Sequence, residues 1–187
     1  MLPGPPWSTV RQVHGAGVAD AASPGAEADV LVASEGGRLA VFAADCALLA
    51  VASAEGPFAA VHAGWAGLVA GVIEAAAAEL RRRGATSLRA VRGPCIGPEC
   101  YEFTPADLDR VASRYGPQVR GTTSAGTPAL DLAAGVRAAC ERAGIELAGE
   151  VASCTACART ADGEPLFFSH RARRDTGRHA LVVAREP

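Results

Sequence analysis

No lysine occurs in this chain of 187 residues; all 18 of its basic side chains are arginine. Alongside the abundant Ala and Gly, this reads as compositional bias rather than a functional signal. An excess of positive charge is missing as well. The 18 basic and 20 acidic residues leave a net charge of -2, which gives no electrostatic footprint for nucleic acid. Charge or Gly interrupts every apolar run well short of membrane-spanning length, so no membrane partner is expected. The opening Met1-Leu2-Pro3-Gly4-Pro5-Pro6 lacks the basic start and apolar stretch of an export signal. The expectation is therefore a cytoplasmic protein whose six cysteines stay reduced. Only four histidines are present, too few for a multicopper centre. The zinc base-deaminase pattern, His-x-Glu followed by Pro-Cys-x-x-Cys, is absent. In its place stand His62-Ala63-Gly64 and Pro94-Cys95-Ile96-Gly97-Pro98-Glu99-Cys100. The glycines fit neither a Walker loop nor a dinucleotide fingerprint.

What is present is apolar. Hydrophobic residues make up 49% of the chain, enough for one domain with a substantial core. Residues 3–6 read as an extended terminus. Strands are expected at 28–33, 58–62, 88–91, 147–152, 165–169 and 180–184. The apolar run 39–52 reads as two buried strands broken near 44–46. A helix is predicted over 68–83, ending in three arginines and Gly84. A second runs from Thr104-Pro105 to about residue 114, with a cap residue and a first-turn proline. A third spans 132–142. Residues 121–128 read as a polar, mobile loop. Alternating strands and helices define an α/β domain with no internal repeat and no linker.

Three residues at expected strand ends stand out: His14, Cys46 and His62. Two imidazoles and a thiolate are ligand types that zinc prefers, and three protein ligands leave a fourth position open, as in a catalytic site. The same Cys46 and His62 without metal would make a thiol nucleophile and its base. Gly64 and Gly67 flank a strand-to-helix turn where free backbone N–H groups attract anions. Arg171, Arg173, Arg174 and Arg178 share one segment, and the planar donor fork of Arg suits an oxyanion or phosphate. Cys95, Cys100, Cys154 and Cys157 leave three readings open: a Cys-only zinc site, a redox pair at 154 and 157, or reduced thiols lining the cleft or packed under it. The last is preferred, because the wide 95–100 spacing suits a tight knuckle poorly.

Read in order, Gln12-Val13-His14-Gly15, Ala44-Asp45-Cys46, His62-Ala63-Gly64-Trp65, Ile96-Gly97-Pro98, Cys100-Tyr101-Glu102, Asp131-Leu132, Cys154-Thr155, Phe167-Phe168-Ser169 and Thr176-Gly177-Arg178 resemble one family. This is the YfiH/YlmD laccase-domain family, also called polyphenol oxidases, with FAMIN as an animal relative. The resemblance implies a four-layer α/β/β/α sandwich with mixed β-sheets, as a single domain over 1–187 lacking most of the family's N-terminal region. It implies zinc on His14, Cys46 and His62, with copper also described in the family. It implies phosphorolysis of adenosine, inosine, guanosine and methylthioadenosine, with adenosine deamination as well. The partners expected are a purine nucleoside and phosphate. On this reading Cys46, His62 and Arg171 carry the chemistry, and Gln12, Asp45, Gly64, Trp65 and Arg178 contact substrate. Two positions depart from the family pattern. Ala66 stands where the family has Arg, and Ser169-His170-Arg171-Ala172 replaces Ser-Tyr-Arg-Arg. The competing readings are a Cys46–His62 amidase editing peptidoglycan precursors and a binding protein with a degenerate site.

Overall fold

The structure, a computed structural model, describes residues 7–23 and 25–186; the expected extended terminus at 3–6 lies outside them. Ten strands occur in chain order. They are β1 (Val18–Asp20), β2 (Val30–Ala33), β3 (Gly37–Ala43), β4 (Ala47–Ala52), β5 (Phe58–Ala63), β6 (Arg89–Arg92), β7 (Arg120–Thr122), β8 (Pro128–Leu130), β9 (Glu146–Glu150) and β10 (His179–Arg185). The helices are α1 (Trp65–Ala70), α2 (Val72–Arg82), α3 (Pro105–Tyr115), α4 (Leu132–Arg142) and the short α5 (His170–Arg173).

Six strands form one mixed sheet in the order β1-β2-β5-β4-β6-β9, parallel at its two edges and antiparallel between. Central β5 is buried along its whole length. The period-two alternation of a strand divides the side chains between two cores. Val30, Val32, Leu49, Val51, Ala59 and Val61 face the helices, against Leu68, Ile73, Leu80, Val111, Leu132 and Val136. Leu31, Leu48, Phe58 and Ala60 face the other way and pack on Leu39, Val41, Leu181 and Val183 of the β3–β10 ribbon. The expected α/β fold with several sheets is the one observed. Helices, sheet and ribbon form three layers among the described residues. Phe42 and Val182 are exposed on the ribbon's outer face.

The apolar run 39–52 does break where expected, and its halves separate: β3 pairs with β10, while β4 pairs with β5 and β6. The helix expected over 68–83 begins earlier and is two helices. Gly71 adopts φ +88°, and its N–H closes α1 onto the Gly67 and Leu68 carbonyls. A side chain there would run into the Arg114 guanidinium. Residues 121–128 are not a loose loop: β7 and β8 pair antiparallel across them. No strand forms over 165–169. The Ser169 N–H donates to the Asp175 carboxylate at 2.8 Å, the Phe167 carbonyl accepts from Arg173, and the Ser169 hydroxyl caps α5. Side chains have taken the backbone groups a ladder would use. Thr104 and Asp131 cap α3 and α4 by accepting from N–H groups three residues on.

Candidate metal centre in a cleft

The sheet registers put the ends of several segments at one edge. His62 lies opposite Leu48, at the end of β5. Cys46 immediately precedes β4, and Ala43, the last residue of β3, pairs with His179 at the start of β10. His14 comes from the loop leading to β1. The result is a cavity of about 550 Å³ lined by His14, Cys46 and His62 together with Gln12, Asp45, Trp65, Tyr101, His170, Arg171 and Arg178. One ligand atom each from His14, Cys46 and His62 lies within 4.8 Å of the other two. Eight of the nine positions expected to act line one cavity. The ninth, Gly64, borders two of the ligands: a Cβ there would stand 3.0 Å from the Cys46 sulfur and 3.1 Å from His14 Cδ2.

The residue missed from the sequence is Asp29, fully buried just ahead of β2. Its carboxylate lies 2.7 Å from His62 Nδ1 and accepts the backbone N–H groups of Val13, His14 and Gly15 at 3.2, 3.0 and 2.7 Å. One side chain therefore orients two of the three candidate ligands. With Nδ1 engaged, Nε2 is the His62 nitrogen left to ligate, an arrangement typical of metal-bound histidines. Burial opposes ionisation of Asp29, but the bonds from His62 and Gly15 outweigh it and hold its carboxyl below the usual value. The same N–H bonds hold His14 at φ +60°, a backbone region uncommon for residues other than glycine. An acidic residue inside a run otherwise reading as buried strand was the available signal.

His14 is exposed as a residue, but partial desolvation of its ring, then the neighbouring His62, lowers its pKa and favours the neutral, ligating imidazole. Burial, reinforced by Asp45, Cys95 and Asp29, pushes the Cys46 thiol up to about 12. Without a cation beside it this sulfur is a thiol at neutral pH, and a metal is what displaces such a proton. The donor set fits a metal ion; imidazole and thiolate together suit zinc and copper alike.

Asp45 sits at φ +116° with both carboxylate oxygens engaged. Oδ1 accepts from the Thr155 hydroxyl at 2.8 Å, and Oδ2 accepts the Arg171 N–H at 2.7 Å. It therefore sets the start of α5 and the position of Arg171. The Arg171 guanidinium lies over the Tyr101 ring and donates to the Glu102 carbonyl. Gln12 bonds both backbone groups of Phe42, like an extra strand residue beside β3. Trp65 is held edge-on to Phe103. Arg178 donates to the carbonyls of Asp175, Thr176 and Gly177 at the cleft rim. None of Cys95, Cys100, Cys154 and Cys157 lines the cavity. Cys95 packs in the helical core, accepting from Arg92 at 3.1 Å.

The fold and site define a mixed α/β protein whose cleft, with a basic rim, gathers three side chains that could hold a metal ion. The chain matches, over residues 2–186, the family described as multi-copper polyphenol oxidoreductase laccase, and it belongs to that family. It is 39% identical over 183 residues to a purine nucleoside phosphorylase of Streptomyces coelicolor, covering 93% of this chain and 73% of the relative. It is 32% identical over 141 residues to adenosine deaminase RL5 from an unknown prokaryotic organism, covering 71% of this chain and 52% of that protein. The crystal structure of Bacillus licheniformis YfiH superposes with a TM-score of 0.83 at 25% identity, over 96% of this chain and 74% of that one. The resemblance read from the motifs is thereby established. No helix among the described residues is long and apolar enough to cross a membrane.

Proposed function

We propose that this protein is a zinc-dependent purine nucleoside phosphorylase that also deaminates adenosine, acting on adenosine, inosine, guanosine and methylthioadenosine. The observation that carries the reading is the convergence of His14, Cys46 and His62 on the floor of a cavity rimmed by Arg171 and Arg178. Relatives named for both activities support it. His14, Cys46 and His62 would hold the cation. When bound, zinc supplies Lewis acidity, polarising an oxygen of phosphate or water. The cavity volume falls in the range of small-molecule sites.

In phosphorolysis a phosphate oxygen forms a bond to the ribose anomeric carbon. The bond from that carbon to the base nitrogen breaks, its electron pair leaves with the purine, and the purine takes up a proton. Arg171 and Arg178 offer the charge that orients the phosphate, since a guanidinium matches two phosphate oxygens at once. Trp65 and Tyr101 present aromatic walls to the base. In deamination water adds at the purine C6 and ammonia leaves. Asp29 keeps His62 in one tautomer through either reaction, while Asp45 keeps the start of α5 against the cleft.

The amidase alternative needs a reactive Cys46 thiolate, and the upward push on that thiol weighs against it. The Asp29 contact on His62 Nδ1 would orient a base as well as a ligand, so the state of the Cys46 sulfur is what separates the two readings. Six free cysteines accord with a reducing, cytoplasmic location.

The test is product analysis by liquid chromatography after incubating zinc-loaded protein with adenosine and phosphate, beside Cys46→Ser. Adenine or inosine from the wild type alone is the expected result. Unchanged adenosine with metal-replete protein overturns the reading.

A further inference from the structure

A second set of ligating side chains lies outside the cleft. Glu99, Cys100, Cys154 and Cys157 each bring one ligand atom within 4.8 Å of the others. None of the four lines the cavity that holds His14 and His62. The set is assembled from two turns. Glu99 and Cys100 belong to the 3-10 turn Pro98–Cys100. Cys154 and Cys157 open a turn closed by the Ala158 N–H on the Cys154 carbonyl at 3.0 Å. A bridge between Cys95 and Cys154 brings the two segments side by side.

The details suit a thiolate cage. The Gly97 N–H donates to the Cys154 sulfur at 3.2 Å and fixes its position. The Cys157 sulfur lies 3.4 Å from Glu99 Oε1. Gly97 is the residue that lets Glu99 fold back towards the sulfurs, because a Cβ there would collide with the carboxylate. Among the described residues no arginine hydrogen-bonds to any of the four ligand atoms. Arg159 and Arg173 donate instead to backbone carbonyls of the same turn, and Arg92 to Cys95. The cage thus holds one carboxylate and three potential thiolates with no side-chain cation on them.

We propose that Glu99, Cys100, Cys154 and Cys157 form a second, structural site for a thiophilic divalent cation of the zinc type. Four protein ligands leave no open coordination position, which separates this site from the three-ligand cleft. The sequence spacing had grouped Cys95 with the other three cysteines; the structure replaces it with Glu99. The ion joins the Pro98–Cys100 turn to the Cys154–Cys157 turn. Thr155, between the two cysteines of that turn, holds Asp45 and through it the N–H of Arg171. The site is thus a clamp on one wall of the cleft, and it stands independently of which reaction the cleft performs.

The experiment uses the full chain, reduced and stripped of metal, titrated with Co²⁺. Thiolate-to-cobalt absorption is recorded together with metal stoichiometry by native mass spectrometry. Two ions per wild-type chain are expected. His14→Ala, which leaves the cage untouched, keeps one ion with the absorption of a multi-thiolate site. Cys157→Ser, at an exposed position, keeps the cleft ion and loses that absorption, with far-ultraviolet dichroism unchanged. A His14→Ala protein that is folded and binds no cobalt overturns the proposal, as does a disulfide among Cys100, Cys154 and Cys157 that persists in reductant.

Discussion

The Asp29 carboxylate, fully buried, lies 2.7 Å from His62 Nδ1 and also gathers three successive backbone N–H groups around His14. It ties together two candidate ligands that are 48 residues apart in sequence. Groups in this position commonly govern metal affinity by about 10–100-fold. Asp29→Asn is expected to weaken zinc binding by that order, measured by competition with a chromophoric chelator. Equal affinity in variant and wild type would mean that the carboxylate serves only the loop.

Gly64 is a spatial requirement. Gly64→Ala places a methyl group 3.0 Å from the Cys46 sulfur and 3.1 Å from His14 Cδ2. Its φ is -78°, so alanine meets no backbone strain there. Metal content per chain should therefore fall while the unfolding midpoint moves little. Full metal occupancy in the folded variant would show that the ligands have slack.

His14 is exposed and contributes little to either core. His14→Ala should lower the metal held in the cleft without unfolding the domain. Elemental analysis beside a thermal melt separates the two effects. A large fall in melting temperature would make the cleft ion structural.

Thr155→Val removes the hydroxyl that Asp45 accepts while keeping its shape. The expected cost is about 1–3 kcal/mol for the unpaired buried acceptor, read by urea unfolding. Turnover should fall as well, because the same carboxylate positions Arg171. Unchanged stability and unchanged turnover together would remove Asp45 from the positioning role.

Arg92 is 2% exposed and shares Glu150 with Arg137. Glu150→Gln removes the counter-charge of the buried Arg92 guanidinium while keeping an acceptor beside it, so a loss of stability is expected. Burial raises the Glu150 pKa, but the bonds from Arg137 and Arg92 outweigh it and leave the carboxyl below its ordinary value of 4.5. A group with a depressed folded value stabilises fully above its unfolded value and loses that contribution as pH falls through the folded one. The stability gap between wild type and Glu150→Gln should therefore be widest near neutrality and close in acid below about pH 4. A gap that stays constant across that range would assign the ion pair no part in it.

Local pattern made much of this molecule legible. The apolar runs gave β3, β4 and β5 nearly to the residue, and α4 spans the predicted 132–142. The cleft trio was readable from the three residues together with the family motifs around them, since a single His or Cys at a strand end is ordinary. What escaped depended on partners distant in sequence. Asp29 matters only because β2 and β5 bring it to His62. Glu99 joins the cysteine cage only because Gly97 lets its side chain turn back. The aromatic-rich 165–169 segment has strand propensity, but Arg173 and Asp175 claim its backbone.

The pairing of Leu48 with His62 bears on the order of folding. Side chains alternate along a strand, so slipping β5 by one residue would turn His62 into the helical core and leave Val61 or Ala63 facing the cleft. The three candidate cleft ligands come from three segments that meet only once that pairing is correct. A cleft metal would then recognise the closed sheet, and a stripped chain is expected to refold first and take up metal afterwards.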